Sequence, residues 1–205
     1  MSAWVTIVDY GMGNIGSLRN MFRRIGCASE LASTPDDLRR ATKLLLPGVG
    51  AFDPAMERLT ETGLGQAVRD KALVEGVPTL GICLGMQLLG DGSEEGERPG
   101  LSLIPARARR FPASAGKVPH MGWNEVTPAS ASPLTAPLPP ASRFYFVHSY
   151  YMLAEDPADA ILTCTYGVPF HAAIQRGNVY GAQFHPEKSH RFGMALLKAF
   201  AELPC

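Results

Sequence analysis

Hydrophobic and polar positions follow two regimes along this chain. Residues 4–9 form a mostly β-branched, apolar run closed by Asp9, which predicts a buried strand. A Gly-rich turn follows at 11–14. Ile15, Leu18, Phe22 and Ile25 then recur at helical spacing, with Gly26 placed as a C-cap. Residues 43–46 predict a second buried strand, broken by Pro47-Gly48-Val49-Gly50. Two helical stretches fall within 53–75. Residues 77–82 predict a third strand, which leads through Cys83 into a helix over 84–89. Strands alternating with helices imply a parallel sheet with right-handed crossovers.

After Gly90 the pattern changes. Residues 91–100 are acidic and Gly-rich, which predicts a loop. Short apolar runs bounded by Pro and Gly follow at 101–104, 144–147, 160–166, 172–175 and 179–184. These read as strands, some of them antiparallel. Residues 129–141 are rich in Pro, Ala and Ser and predict an exposed loop. Helical spacing returns with Phe192, Ala195, Leu196, Ala199, Phe200 and Leu203. There is no internal repeat, and the Pro/Ala segment is too short to divide domains. The expectation is a single domain over 1–205.

Composition narrows the function classes. The 205 residues are 46% hydrophobic and 19% charged, enough to bury a core without disulfides. Nineteen basic residues match nineteen acidic ones, so no overall field draws in nucleic acid or an anionic membrane. No apolar run approaches the ~18 residues of a membrane span, and Asp9 interrupts the N-terminal run too early for a signal peptide. Cys27, Cys83, Cys164 and Cys205 are scattered, which predicts a reducing, cytoplasmic setting.

One cysteine stands in a chemical context. Gly81-Ile82-Cys83-Leu84-Gly85 is a strand running through G-x-C-x-G into a helix, the cysteine form of the G-x-S-x-G nucleophile elbow. A β-carbon at Gly81 or Gly85 would clash in so tight a turn. The thiol then lies at a helix N-terminus, where the dipole favours negative charge on sulfur. The Leu84 N–H points the same way and can donate to an oxyanion. A lone cysteine is ordinarily a small buried hydrophobe. The flanking glycines reverse that reading for Cys83 and leave it in place for the other three.

A thiol nucleophile needs a base, and the base needs an orienting group. Among His120, His148, His171, His185 and His190, His185 ends the apolar run 179–184 and precedes Pro186, which favours extended backbone. Glu187 lies two residues on, so in an extended segment it faces the same side as His185. His-Pro-Glu also matches the H-x-E of zinc deaminases, but the required P-C-x-x-C is missing, so no metal site is expected. Pro47-Gly48-Val49-Gly50 has the backbone freedom to aim an N–H at an anion.

These segments carry a resemblance. PGVG at 47–50, GICLGMQLL at 81–89 and QFHPEKS at 183–189 resemble the triad-type glutamine amidotransferases. PHMGWNEV at 119–126, FYFVHSY at 144–150 and DYGMGNIGS at 9–17 are similar, within them, to the glutaminase subunits of imidazole glycerol phosphate synthase. The resemblance spans nearly the whole chain. It implies an α/β fold: a flavodoxin-like, open, mixed but mainly parallel sheet flanked by helices, with a small additional antiparallel sheet.

The resemblance also implies a chemistry. Glutamine is hydrolysed through a γ-glutamyl thioester on Cys83, with His185 moving the proton and Glu187 orienting His185. The amides of Val49 and Leu84 would form the oxyanion hole. Gly50, Gln87, His148, Ser149 and Tyr150 would line the glutamine pocket. No cofactor is implied. Ammonia would pass to a (βα)8-barrel synthase subunit in a heterodimer, where it meets phosphoribulosyl-formimino-AICAR ribotide to give imidazole glycerol phosphate and AICAR ribotide. Asn14, Met121, Trp123, Tyr145 and Lys188 fall in segments that the family places near that interface. No phosphate-cradling G-x-x-x-x-G-K-[ST] occurs, which leaves the phosphorylated acceptor to the partner. Two alternatives stay open: a glutaminase subunit serving another acceptor, and a free-standing cysteine hydrolase.

Overall fold

The computed structural model describes residues 4–204. In chain order the strands are β1 (Trp4–Val8), β2 (Ala28–Ala32), β3 (Leu44–Leu46), β4 (Thr79–Ile82), β5 (Gly92–Ser93), β6 (Ala106–Arg110) and β7 (His120–Glu125). They continue with β8 (Thr127–Pro128), β9 (Arg143–His148), β10 (Tyr150–Ala154), β11 (Ala160–Tyr166), β12 (Val168–Arg176) and β13 (Val179–Ala182). The helices are α1 (Ile15–Arg24), α2 (Phe52–Glu61), α3 (Leu64–Leu73), α4 (Leu84–Leu88) and α5 (His190–Ala201).

The main sheet runs β2-β1-β3-β4-β13-β12-β10-β6-β5, with β11 and β8 paired off this path. The first five strands are mutually parallel. From β12 onward the pairing turns antiparallel, apart from the two-residue β5. β7 and β9 form a separate antiparallel pair. This is the expected mixed sheet with a small additional one.

Both faces of the parallel part are covered, which is why its inner strands are nearly continuous apolar runs. Successive residues of β3 point to opposite sides. Leu45 joins Leu18, Phe22, Leu196 and Phe200 of α1 and α5. Leu44 and Leu46 join Phe52, Leu59 and Val68 of α2 and α3. No helix among the described residues is long and apolar enough to cross a membrane.

Several expectations need correction. Residues 28–32 were not anticipated as a strand, because β2 is an edge strand with a half-exposed, polar Ala-Ser-Glu-Leu-Ala sequence. Leu101, Leu103 and Ile104 are buried, but residues 101–104 form no strand. Their N–H groups instead take the carbonyls of Leu88, Leu89 and Gly90, at the C-terminal end of α4 and just beyond it. The adjoining strand is β6, whose alternating Ala and Arg hid it. β7 was also missed, since polar residues and Gly122 dilute its apolar pattern, and so was β10, although its Tyr-Tyr-Met-Leu-Ala sequence is largely apolar. The 129–141 loop is irregular, as expected, but not wholly exposed: Leu134 is fully buried. Asn14 occupies the N-cap position of α1, yet its side chain makes no capping bond.

Candidate active site

Three neighbouring parallel strands, β3, β4 and β13, end side by side, with Leu46 opposite Gly81 and Ala182 opposite Ile82. The carboxyl ends of such strands are where open α/β sheets present their ligand sites. PGVG leaves β3, Cys83 leaves β4, and the segment 183–187 leaves β13. Residues distant in sequence therefore converge by topology.

Cys83 sits between β4 and α4 with φ +54° and ψ −112°, a conformation an L-residue holds only under strain. The turn is closed by near-contact of backbones. A β-carbon on Gly85 would run into the Leu46 carbonyl, and one on Gly81 would lie 2.6 Å from the Gly85 carbonyl oxygen. The glycines are required for the reason the sequence suggested. Leu84 is the first residue of α4, where an N–H has no intrahelical acceptor.

His185 is pinned by its backbone. Its N–H donates to Tyr145 at 2.9 Å, and its carbonyl accepts the Ser189 hydroxyl at 2.6 Å. Its Nδ1 lies 2.8 Å from Glu187 Oε1, and both side chains are almost fully buried. The pairing was expected but the route differs. Residues 186–188 form a 3-10 turn, not an extended segment, and the turn swings the carboxylate onto the ring. Glu187 Oε2 has no protein partner, so His185 is the chief counter-charge of this carboxylate. Burial alone would lower the His185 pKa. Hydrogen bonds to Cys83 and Glu187, together with their charges, override burial and raise it to about 10.

Cys83 and His185 open on a cleft of about 370 Å³. Val49, Leu84, Gly50, Gln87, His148, Ser149 and Tyr150 all line it, so every residue expected at the oxyanion hole and glutamine pocket is brought together. Gln87 Nε2 donates to the Tyr150 carbonyl at 3.1 Å and to Gln183 Oε1 at 3.2 Å. A larger hollow of about 860 Å³ lies under the 129–142 loop, but neither Cys nor His lines it.

The five expected interface residues divide. Met121 and Trp123 are exposed at 62% and 40% on the outer face of β7. The Trp123 ring lies edge-on to Tyr145 at 6.2 Å and parallel to His190 at 5.4 Å. Lys188 lines the cleft, with its ammonium 5.6 Å from the Tyr145 ring. Asn14 stands apart from this group, in the loop that packs on PGVG through Met12 and Gly13.

Other residues at the site were missed. Glu95 lines the cleft and accepts the Phe52 N–H at 2.9 Å, capping α2; burial raises its pKa. It lay in an acidic stretch that reads as solvated. Tyr10 donates its buried hydroxyl to the Pro47 carbonyl at 2.8 Å, and burial, then the charge of Cys83, raises its pKa. A tyrosine between Asp9 and Gly11 carries no sequence signal for such a role. Pro119 and Val147 complete the wall. Cys27 and Cys164 are buried away from the cleft, and Cys205 lies outside the described residues. No cluster of metal-binding type occurs among the described residues.

Comparison with known proteins decides the family. The model of glutamine amidotransferase class-I matches residues 6–202. The chain is 48% identical to imidazole glycerol phosphate synthase subunit HisH 2 of Pseudomonas aeruginosa, over 97% of this chain and 99% of that one. It is 47% identical to subunit HisH of Bdellovibrio bacteriovorus, over 97% of this chain and all of that one. The chain belongs to the HisH family of class-I glutamine amidotransferases. More distant solved structures share its architecture alone. PurLQS from Thermotoga maritima aligns with TM-score 0.76 at 17% identity, covering 98% of each chain. A glutamine amidotransferase from Thermotoga maritima aligns with TM-score 0.65 at 20% identity, covering 98% of this chain and 83% of that one.

Proposed function

We propose that this HisH-family amidotransferase hydrolyses L-glutamine in the Cys83 cleft and delivers ammonia to a synthase partner in histidine biosynthesis. The observation that carries the reading is the strained Cys83 turn facing a buried His185–Glu187 pair at 2.8 Å. We read the chain as one amidotransferase domain over 1–205.

The mechanism follows from the geometry. Cys83 passes its proton to His185, and its Sγ attacks the side-chain carboxamide carbon of glutamine. The oxyanion that forms takes hydrogen bonds from the Val49 and Leu84 N–H groups. His185, with its pKa near 10, holds a proton at neutral pH and gives it to the leaving amine, so ammonia departs and a γ-glutamyl thioester remains. Water then attacks the thioester with His185 accepting its proton; the C–S bond breaks, the Cys83 sulfur leaves and recovers that proton, and glutamate is released. Glu187 keeps the imidazole oriented throughout. Glutamine also carries an α-ammonium and an α-carboxylate. The Glu95 carboxylate suits the first, and the Lys188 ammonium, beside Ser149 and Tyr150, suits the second.

The partner we propose is a (βα)8-barrel synthase subunit, joined in a heterodimer over the face bearing Met121 and Trp123. That face adjoins the cleft through Tyr145 and Lys188, which favours a short path for ammonia. The reduced thiols of Cys83 and Cys164 suit a cytoplasmic setting. The test is glutaminase activity with and without the synthase. We expect weak turnover alone and strong stimulation by the synthase loaded with an acceptor analogue. Cys83→Ala should abolish turnover while the complex still forms; turnover within about tenfold of the parent, about 1.4 kcal/mol, would sink the assignment.

A further inference from the structure

Behind the glutamine wall lies a buried polar device that the mechanism above does not use. His120 of β7 and His148 of β9 stand opposite each other in register. His120 Nδ1 is 3.0 Å from His148 Nε2, and His148 Nδ1 is 2.8 Å from the Tyr150 carbonyl oxygen. Both side chains are buried.

The directions of these bonds can be deduced. A carbonyl only accepts, so His148 Nδ1 carries a hydrogen. Burial lowers the His148 pKa to about 3, so the ring is neutral and its Nε2 is an acceptor. His120 Nδ1 must then be a donor, because two lone pairs at 3.0 Å would repel. Burial lowers the His120 pKa to about 4, so it too is neutral and its Nε2 accepts. Facing that nitrogen at 3.5 Å is the amide Nδ2 of Asn124, a donor. All hydrogens therefore point one way, toward the Tyr150 carbonyl.

That carbonyl also receives Gln87 Nε2. Two side chains thus hold one peptide of the cleft wall, and His120 sets the tautomer of one of them. The ring of His120 is clamped between Tyr166 at 4.1 Å and Phe146 at 4.9 Å, both nearly parallel to it. It cannot turn to offer a different nitrogen without breaking this stack.

We propose that His120 is a positioning residue for glutamine binding: its donated hydrogen bond fixes the His148 tautomer that holds the Tyr150 carbonyl, and with it the wall at 148–150. The inference rests on the reading of this cleft as the glutamine pocket. It also gives β7 a second role. His120 faces inward on the strand whose next residue, Met121, is exposed, so a partner that shifts β7 acts on the pocket wall.

Two substitutions in the synthase-bound enzyme separate this from simple packing. His120→Phe keeps an aromatic ring between Tyr166 and Phe146 but has no donor. His120→Asn loses the stack but returns a donor near the Nδ1 position. We expect His120→Phe to raise KM for glutamine about tenfold with kcat within about threefold, and His120→Asn to recover most of that loss. A merely structural role predicts the opposite ranking. Ring-nitrogen chemical shifts of the parent should show both histidines neutral with the hydrogen on Nδ1. This readout stands even where His120→Phe does not fold. A protonated ring, a hydrogen on Nε2 of either histidine, or an unchanged KM in folded His120→Phe overturns the inference alone. A parent complex without glutaminase activity sinks the reading of the pocket and the inference with it.

Discussion

Glu187→Gln removes one negative charge and leaves the shape of the side chain nearly unchanged, so it isolates what the carboxylate does for His185. In the folded protein burial acts to lower the His185 pKa, while hydrogen bonds and charge from Cys83 and Glu187 raise it from 6.5 to about 10. At about 1.4 kcal/mol per pH unit, that rise represents about 5 kcal/mol in favour of the imidazolium. Two neighbours share it, so loss of the Glu187 charge should take away about 2–3 kcal/mol, or about a hundredfold in the equilibrium that places the Cys83 proton on the ring. That ring is the acid for the leaving amine. The expected result is therefore a fall of about a hundredfold in kcat for glutamine hydrolysis in the synthase complex, with little change in KM. A coupled assay of glutamate release measures it.

Stability carries the same signature, with a definite sign. The folded pKa of His185 lies above its unfolded value. Its contribution is therefore complete below about pH 6.5 and is lost as pH rises toward about 10. Urea unfolding of the parent should show a decline across that window, and Glu187→Gln should flatten it. A variant with kcat within about threefold of the parent and the same slope of stability against pH would refute the claim that Glu187 sustains the imidazolium.

Three further outcomes are expected. Gly85→Ala drives a β-carbon into the Leu46 carbonyl and should cost about 3 kcal/mol in urea unfolding; full stability would contradict the close approach of the two turns. Tyr10→Phe leaves the buried Pro47 carbonyl without its donor and should destabilise by about 1–2 kcal/mol. It should also lower glutaminase activity, because Pro47 leads into the Val49 peptide; unchanged kinetics would show that the hydroxyl does not position that strand. Trp123→Ala should weaken synthase binding by about 2 kcal/mol, about thirtyfold in Kd, without affecting the free chain, and titration calorimetry would detect equal affinities if the partner binds elsewhere.

The legible parts of the molecule are those where one physical requirement dominates. β1, β3 and β4 are largely buried, so nearly every position apart from Thr6 and Thr79 is apolar and the strands show in the pattern. β2, β6 and β7 have one face in solvent, and alternation with polar or small residues conceals them. Residues 101–104 mislead for a related reason. Three of the four are buried and apolar, but their backbone closes the end of α4 instead of joining a ladder. At the site, Cys83 was readable because the turn permits only glycine on either side of it. His185 and Glu187 were readable by proximity, although the turn that joins them is 3-10 and not extended. Glu95, Tyr10 and His120 were not readable as site residues. Each acts on a group far away in sequence, and nothing in its own neighbourhood records that partner.

The sequence by itself determines the chemistry available: a thiol in a turn that excludes side chains, an imidazole two residues from a carboxylate, and a flexible Gly-rich strand end. Local sterics and short spacing write these directly into adjacent residues. Only the tertiary structure decides that they meet. The order of β3, β4 and β13 in the sheet brings PGVG, Cys83 and His185 to one edge. Cys83 and Glu187 override burial there and give His185 its high pKa, while burial gives His120 and His148 their low ones. Protonation state depends on what surrounds a group in space, and that is set by packing across the sheet, not by the residues next in the chain.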